Sequence, residues 1–152
     1  MTTLSDDEIE YVTVMIGGQL FGLPIARVLD VFILERLTRV PLAPPQIAGV
    51  LNLRGRIVTA IDMRRRLALP PREQGEKRMA VGIEHHGESY GLLVDSVGEV
   101  LKVPAASRDA NPVNLDPCLA RVAGGVHRLD GRLMVILDVS RVFEPQAESL
   151  AA

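Results

Sequence analysis

The stretch Ile47-Ala-Gly-Val-Leu-Asn-Leu-Arg-Gly-Arg-Ile-Val-Thr-Ala-Ile-Asp-Met-Arg-Arg-Arg-Leu67 holds a turn, an apolar strand and a helix start in one run. Gly49 and Gly55 punctuate it, and Ile57, Val58 and Ile61 are strand formers. Asp62 stands where an N-cap would satisfy the first amides of Met63-Arg-Arg-Arg-Leu67. The run recurs as Ala123-Gly-Gly-Val-His-Arg-Leu-Asp-Gly-Arg-Leu-Met-Val-Ile-Leu-Asp-Val-Ser-Arg-Val-Phe143. Gly49/Gly125, Val50/Val126, Leu53/Leu129, Gly55/Gly131, Arg56/Arg132, Asp62/Asp138 and Arg65/Arg141 match at a constant spacing of 76 residues. The preceding segments repeat as well: Phe21-Gly-Leu-Pro-Ile25 aligns with Tyr90-Gly-Leu-Leu-Val94, Val28 with Val97, Asp30 with Glu99 and Val31 with Val100, all 69 residues apart. Such self-similarity marks two copies of one supersecondary unit. The second copy carries seven extra residues (76 less 69) between its front and back parts.

With 152 residues, 47% hydrophobic and 24% charged, the chain supports a core. Each copy alone is near the size at which burial barely offsets chain entropy, so the two copies need each other or a partner. Tryptophan is absent and aromatics are 3%, so that core is built from Val, Leu, Ile and Ala. A net charge of −2 gives no general attraction to nucleic acid or anionic lipid. The lone Cys118 forms no internal disulfide, and a cytoplasmic location follows by default. The acidic N-terminus has no apolar run of a signal peptide. Runs such as Leu133-Met-Val-Ile-Leu137 are far shorter than the roughly 20 residues of a membrane helix, so membrane contact would come through another protein.

Along the chain, Ile9 to Ile16 and Leu20 to Leu23 read as a hairpin across Gly17-Gly18, and Pro24 opens a short helical or irregular crossing through Val28-Leu29. Val31 to Leu34 is a strand, and Val40-Pro-Leu-Ala-Pro-Pro45 is an ordered loop. Met79 to Ile83, Ser89 to Val94, Val97 to Val103 and Leu133 to Leu137 are further strands, with 105–121 a loop or broken helix. Short strands with turn chemistry between them predict a mostly β protein of two small barrels. The expected division is a flexible tail at 1–8, a first barrel at 9–70, a linker at 71–78, a second barrel at 79–144 and a tail at 145–152.

Several residues invite a chemical reading. Gly87-Glu-Ser-Tyr-Gly91 fits the nucleophile-elbow pattern, which would make Ser89, with Asp95 or another acid and His127, a small serine hydrolase. The pentapeptide sits on a hairpin, however, and the first copy has Leu20 where Ser89 stands, so the match reads as chance. His85, His86 and Cys118 lack metal-ligand spacing, and no phosphate loop followed by Lys-Ser or Lys-Thr exists. No catalytic residue, cofactor or metal is expected. Arg64 to Arg66 read as a solvated helix face, and no aromatics interleave the arginines as a nucleic-acid surface would require. Arg54, between Leu53 and a turn glycine, is placed to pair bidentately with a carboxylate, for which Asp30 is the candidate; two unrelated surface charges are the alternative.

Gly49-Val-Leu-Asn-Leu-Arg-Gly-Arg-Ile-Val, Ile61-Asp-Met-Arg and Tyr90-Gly-Leu-Leu-Val-Asp-Ser-Val-Gly-Glu-Val-Leu101 closely resemble the CheW family of chemotaxis coupling proteins, from about Ile9 to Phe143. The resemblance implies two SH3-like five-stranded β-barrels packed side by side around a shared core, with short helices. It implies a non-catalytic adaptor joining the cytoplasmic tips of chemoreceptors to the regulatory domain of a CheA-type histidine kinase, at receptor arrays on the inner face of the membrane. Carried over by position, the family's acidic and Arg pair falls on Asp30 and Arg54, and receptor or kinase contacts fall on Val28, Gly49, Ile57, Met79, Val97 and Val100. The family usually has Glu where this chain has Asp30. The length, a start at Met1 and the lack of an ATPase or receiver segment resemble the stand-alone coupler.

Overall fold

The structure, a computed structural model, describes residues 7–71 and 78–143. In the first copy, β1 (Glu8–Ile16) and β2 (Gln19–Pro24) form a hairpin, and a 3-10 turn at Ile25–Arg27 leads into β3 (Val28–Leu34). A second hairpin, β4 (Ile47–Leu53) and β5 (Arg56–Asp62), runs into the one-turn helix α1 (Met63–Arg66). The second copy repeats the order with β6 (Arg78–His85), β7 (Glu88–Val94), β8 (Ser96–Pro104), a 3-10 turn at Ala105–Ser107 and the two-residue β9 (Arg108–Asp109). Then come α2 (Pro117–Val122), β10 (Ala123–Leu129), β11 (Arg132–Leu137) and α3 (Val139–Val142). The seven extra residues of this copy fall between β8 and β10. Here Asp116 accepts the Cys118 amide and Pro117 starts α2, a helix inside the stretch that had read as a loop or broken helix.

Local chemistry sets these elements. Asp62 and Asp138 cap α1 and α3 by accepting the Arg65 and Ser140 amides, as the repeat predicts. Three hairpins turn through residue pairs that both have positive φ, Gly17-Gly18, Arg54-Gly55 and His86-Gly87, the backbone that matches strand twist in a tight hairpin. The crossing after Pro24 is shorter than the sequence suggests: Val28 and Leu29 already belong to β3, Val28 opposite Ile83 and Leu29 at a bulge.

The strands assemble into a six-stranded sheet ordered β8-β1-β2-β11-β10-β9 and a five-stranded sheet ordered β3-β6-β7-β5-β4. The division at 71–78 therefore does not separate the sheets. The first copy's β1–β2 hairpin lies in the second copy's sheet, between β8 and β11, and the second copy's β6–β7 hairpin lies between β3 and β5. Each exchanged hairpin is joined to its host by a parallel seam: Leu20 opposite Met134 and Phe21 opposite Val135 in one, Thr59 opposite Tyr90 and Ala60 opposite Gly91 in the other. A strand with partners on both sides has no free edge, and with both faces covered it reads as an unbroken apolar run. Met134 to Leu137 and Leu92 to Val94 are such runs. Of the terminal and linker segments expected from the sequence, residues 1–6, 72–77 and 145–152 lie outside the described residues, as does 144 at the expected end of the second barrel, while Glu8 opens β1 and Arg78 opens β6.

Neither sheet closes into a barrel by a continuous ladder, and one has six strands where five were expected. In the five-stranded sheet a single bridge ties the opposite edges: the Thr38 and Val50 amides each donate to the other's carbonyl at 2.8 Å. In the six-stranded sheet the edge strands β8 and β9 are consecutive in the chain across the 3-10 turn. Gly49 permits the first bridge. Its φ is +154°, and a Cβ there would collide with the Thr38 carbonyl.

The core has three parts. One small cluster sits within the six-stranded sheet (Tyr11, Leu20, Val103, Met134, Ile136) and another within the five-stranded sheet (Ala60, Ala80, Leu93, with Phe32 and Leu51 against them). The largest lies between the sheets and draws on both, with Val14, Phe21, Leu23, Ile61, Met63, Val81, Leu92, Val126, Val135 and Val139 all buried. Arg66 is buried at the join of the two copies. Its guanidinium donates to the carbonyls of Val142 (2.9 Å) and Arg141 (3.1 Å), and Val142 is its own equivalent 76 residues on. A cation there adds a charged donor to the terminal carbonyls of α3, of which that of Arg141 also accepts from the Phe143 amide.

Two outcomes follow. Fragments 1–71 and 78–152, each missing the hairpin that completes its sheet, should be unfolded by circular dichroism when separate and should regain the native spectrum when mixed. Arg66→Ala, which removes the hydrogen bonds of a buried guanidinium, should lower unfolding free energy by about 2–3 kcal/mol in urea titration.

Candidate functional site

The outer faces of the sheets are set by strand alternation. In an antiparallel pair, residues directly opposite each other point the same way. Val31 and Ile33 of β3 stand opposite Val81 and Met79 of β6, whose side chains belong to or pack against the core between the sheets. That core face therefore continues past β6 onto the edge strand β3. There it meets solvent: Leu29 is 50% exposed, Val31 40% and Ile33 51%. On the other side of the sheet, Ile57 shares the face of Ile61 by the two-residue period and is 64% exposed. On β8, the counterpart of β3, Val100 is 46% exposed. Water-facing β-branched residues in line with a buried core are the composition of a protein-docking surface.

The residues singled out from the sequence fall on this framework in distinct ways. Val28, Met79 and Val97 are partly buried against the shared core, Val28 and Val97 at equivalent places in the two copies. Val100 and Ile57 are exposed on β8 and β5. Gly49 is buried, and what it provides is room for the edge bridge. Asp30 lies on β3 opposite Gly82, where any side chain would collide with its carboxylate. Arg54 is exposed at the tip of the β4–β5 hairpin, with the turn tightened by Asn52 Oδ1 accepting the Gly55 amide at 2.9 Å.

Asp30 and Arg54 do not pair with each other: no hydrogen bond or ion pair joins them. Asp30 stands on β3, one outermost strand of the five-stranded order, and Arg54 in the turn that follows β4, the other. The bidentate pair occurs elsewhere. Arg64 Nε and Nη2 donate to Asp95 Oδ1 and Oδ2 at 2.9 and 2.7 Å, both side chains about four-fifths covered, and Asp95 Oδ2 also accepts the Gly17 amide. The run Arg64 to Arg66, expected as one solvated face, thus has three fates: Arg64 ties α1 to the β7–β8 junction, Arg65 is exposed and Arg66 is buried. No sequence signal separated them, because a one-turn helix points consecutive side chains roughly 100° apart into different surroundings.

The hydrolase geometry is absent. Ser89 lies inside β7, which continues to Val94 with no strand-to-helix corner, and Asp95 is engaged by Arg64. His127 is buried between Tyr11 (Oη to Nε2, 3.0 Å) and Ser107 (Oγ to Nδ1, 2.9 Å). Ser107 Oγ donates its proton to the Pro104 carbonyl, so it accepts from Nδ1–H, and Nε2 accepts from the Tyr11 hydroxyl. Both ring nitrogens of a neutral imidazole are thus engaged in that chain. Of the residues weighed for a metal, His85 stacks on Phe143 with ring centroids 4.4 Å apart, and Cys118 sits at the start of α2. No helix among the described residues is long and apolar enough to cross a membrane.

The exchanged-hairpin fold and its exposed apolar edges are those of a protein-docking scaffold. Residues 10–147 match the CheW-like domain, and the chain belongs to that family. It is 30% identical over 148 residues to the chemotaxis protein CheW of Rhizobium meliloti, covering 94% of this chain and 92% of that protein. The chemotaxis protein CheW of Bacillus subtilis is 26% identical over 137 residues, 90% of this chain and 88% of the relative. Among solved structures, the scaffolding protein TtCheW from Thermoanaerobacter tengcongensis superposes with a TM-score of 0.81 at 27% identity, covering 92% of this chain and 95% of that one.

Burial, then the Arg108 guanidinium, holds the His127 imidazole below its ordinary value, while Asp109 pulls weakly the other way. The unfolded imidazole, with a pKa of about 6.5, takes a proton that the folded one refuses. The stability contributed is complete above that value and is lost as pH falls below it. Lowering pH from about 7.5 to about 5 should reduce the melting temperature of the native chain, and His127→Gln should flatten that slope in scanning calorimetry.

Proposed function

We propose that this chain is a non-catalytic adaptor that couples chemoreceptors to a CheA-type histidine kinase in a chemosensory array. The observation that carries the reading is the core face of the five-stranded sheet running out to Leu29, Val31 and Ile33 at one side and to Ile57 at the other, with Val100 exposed on β8. Membership of the CheW-like family supports it, as does the superposition on a solved scaffold. Val28, Asp30, Gly49, Arg54, Ile57, Met79, Val97 and Val100 are the proposed partner-binding set. Within it, Ile57 and Val100 bury apolar area on binding, and Asp30 and Arg54 offer separate charges at the rim. Gly49 acts through the bridge that holds the sheet edge, and Val28, Met79 and Val97 support the face from the core side. The adaptor works in the cytoplasm and reaches the inner face of the membrane through its partners, the receptor tips and the kinase regulatory domain.

Added to receptor-bearing membranes with the kinase, the protein should co-sediment and raise receptor-controlled autophosphorylation; no association with either component would sink the reading. Ile57→Glu and Val100→Glu should each weaken assembly by about tenfold or more, the loss typical of a central apolar contact. Arg54→Glu should weaken it too, and all three should melt within a few degrees of the native chain, because these side chains are exposed.

A further inference from the structure

A second surface lies at the end of the five-stranded sheet where β3 finishes, next to Ile33 of the apolar edge. It is an open groove of about 600 Å³ formed where β3 ends, β4 begins, β5 passes into α1 and β6 starts. Arg36, Arg39, Arg65 and Arg78 line it, and none of their side chains makes a hydrogen bond or ion pair among the described residues. Against these four cations the groove has only Glu35 and Asp62, and Asp62 Oδ1 is engaged in capping the Arg65 amide. In a chain of net charge −2 this is a local excess of the opposite sign. Elsewhere Arg64, Arg128 and Arg141 are matched by Asp95, Asp109 and Asp138, and Arg54 and Arg56 at the hairpin tip, which have no carboxylate partner among the described residues, do not line this groove. Unmatched guanidinium groups around one concavity repel each other and offer planar forks suited to carboxylates. Leu37, Pro45 and Ile47 supply apolar surface between them.

We propose that this groove is a docking site for an acidic, extended peptide segment of a partner protein. The arginines hold its carboxylates while an apolar side chain of the segment rests on Leu37, Pro45 and Ile47. The inference rests on the adaptor reading only in that the occupant belongs to a protein partner. A nucleic acid fits the lining poorly, because no aromatic side chain is present for a base to stack on. The mixed lining also exceeds what a lone phosphate needs, and a flat lipid surface cannot enter a concave groove.

The test uses the full chain without receptor or kinase, so its failure leaves the adaptor reading standing. A fluorescein-labelled peptide repeating Asp-Glu-Leu is titrated and followed by anisotropy, beside an Asn-Gln-Leu repeat and vesicles of phosphatidylcholine with phosphatidylserine. Saturable binding of the acidic peptide is expected, screened by salt, and weakened about tenfold or more by R36E/R39E and by R65E. R56E, at an exposed arginine on the hairpin tip outside the groove, should change it less than about twofold. Circular dichroism melting establishes that each variant is folded; Arg39→Gln, which removes charge without reversing it, should give an intermediate loss. The proposal is overturned if the acidic peptide fails to bind, if the neutral repeat binds equally, or if R56E weakens binding as much as the groove variants. Vesicle binding that R36E/R39E abolishes, without peptide binding, overturns it in favour of a membrane contact.

Discussion

The two parallel seams, β2 against β11 and β5 against β7, are the constraint on which the rest of the molecule depends. Each joins a hairpin from one copy of the repeat to the last strand of the other, so neither sheet exists until both copies are present. The seams are equivalent under the repeat: β2 corresponds to β7 and β11 to β5. The chain therefore folds as an intramolecular exchange of like parts. Parallel pairing of distant segments requires loop closure before contacts are gained, and the large apolar cluster between the sheets is what offsets that cost. Arg66, donating to the carbonyl of its own counterpart Val142, marks where the two copies meet.

From that exchange follows the placement of the working surface. The exchanged hairpins occupy the middle of each sheet and bury both faces, while β3 and β4 are left at the edges of the five-stranded sheet. An edge strand keeps the alternation of its neighbours but lacks their cover, so Leu29, Val31 and Ile33 carry core-type residues into solvent. The Thr38–Val50 bridge and the buried Gly49 hold the two edges together, so the apolar face is presented on a fixed frame. Such a surface is suited to holding partners, with affinity coming from complementary burial and specificity from the charges beside it.

Much of the fold was legible because it was local. Turn pairs at Gly17-Gly18 and Arg54-Gly55, the capping aspartates Asp62 and Asp138, and β-branched runs bounded by Gly and Pro each depend on neighbours in sequence. Side-chain partners depend on which segments meet, and there the outcome differed. Asp30 and Arg54, readable from sequence either as a pair or as unrelated charges, do not pair, and the fork-to-fork contact belongs to Arg64 and Asp95, brought together only because β7 ends beside α1. Likewise Ser89 and His127 were joined by a motif, whereas β7 and β10 lie in different sheets and His127 is fully engaged by Tyr11 and Ser107.

By itself the sequence determined that the chain is a duplicated, mostly β unit with an aliphatic core and no ordered set of catalytic groups, because repeat spacing, hydrophobic alternation and turn chemistry are written along the chain. Only the tertiary structure decided that the copies trade hairpins, that Arg64, Arg65 and Arg66 have three different surroundings, and which apolar residues are left uncovered. The reason is physical. Alternation says which residues share a face of a strand, but whether that face is covered depends on strand order, and strand order arises from pairing between segments far apart in sequence (Thr59 with Tyr90, 31 residues on, and Phe21 with Val135, 114 residues on).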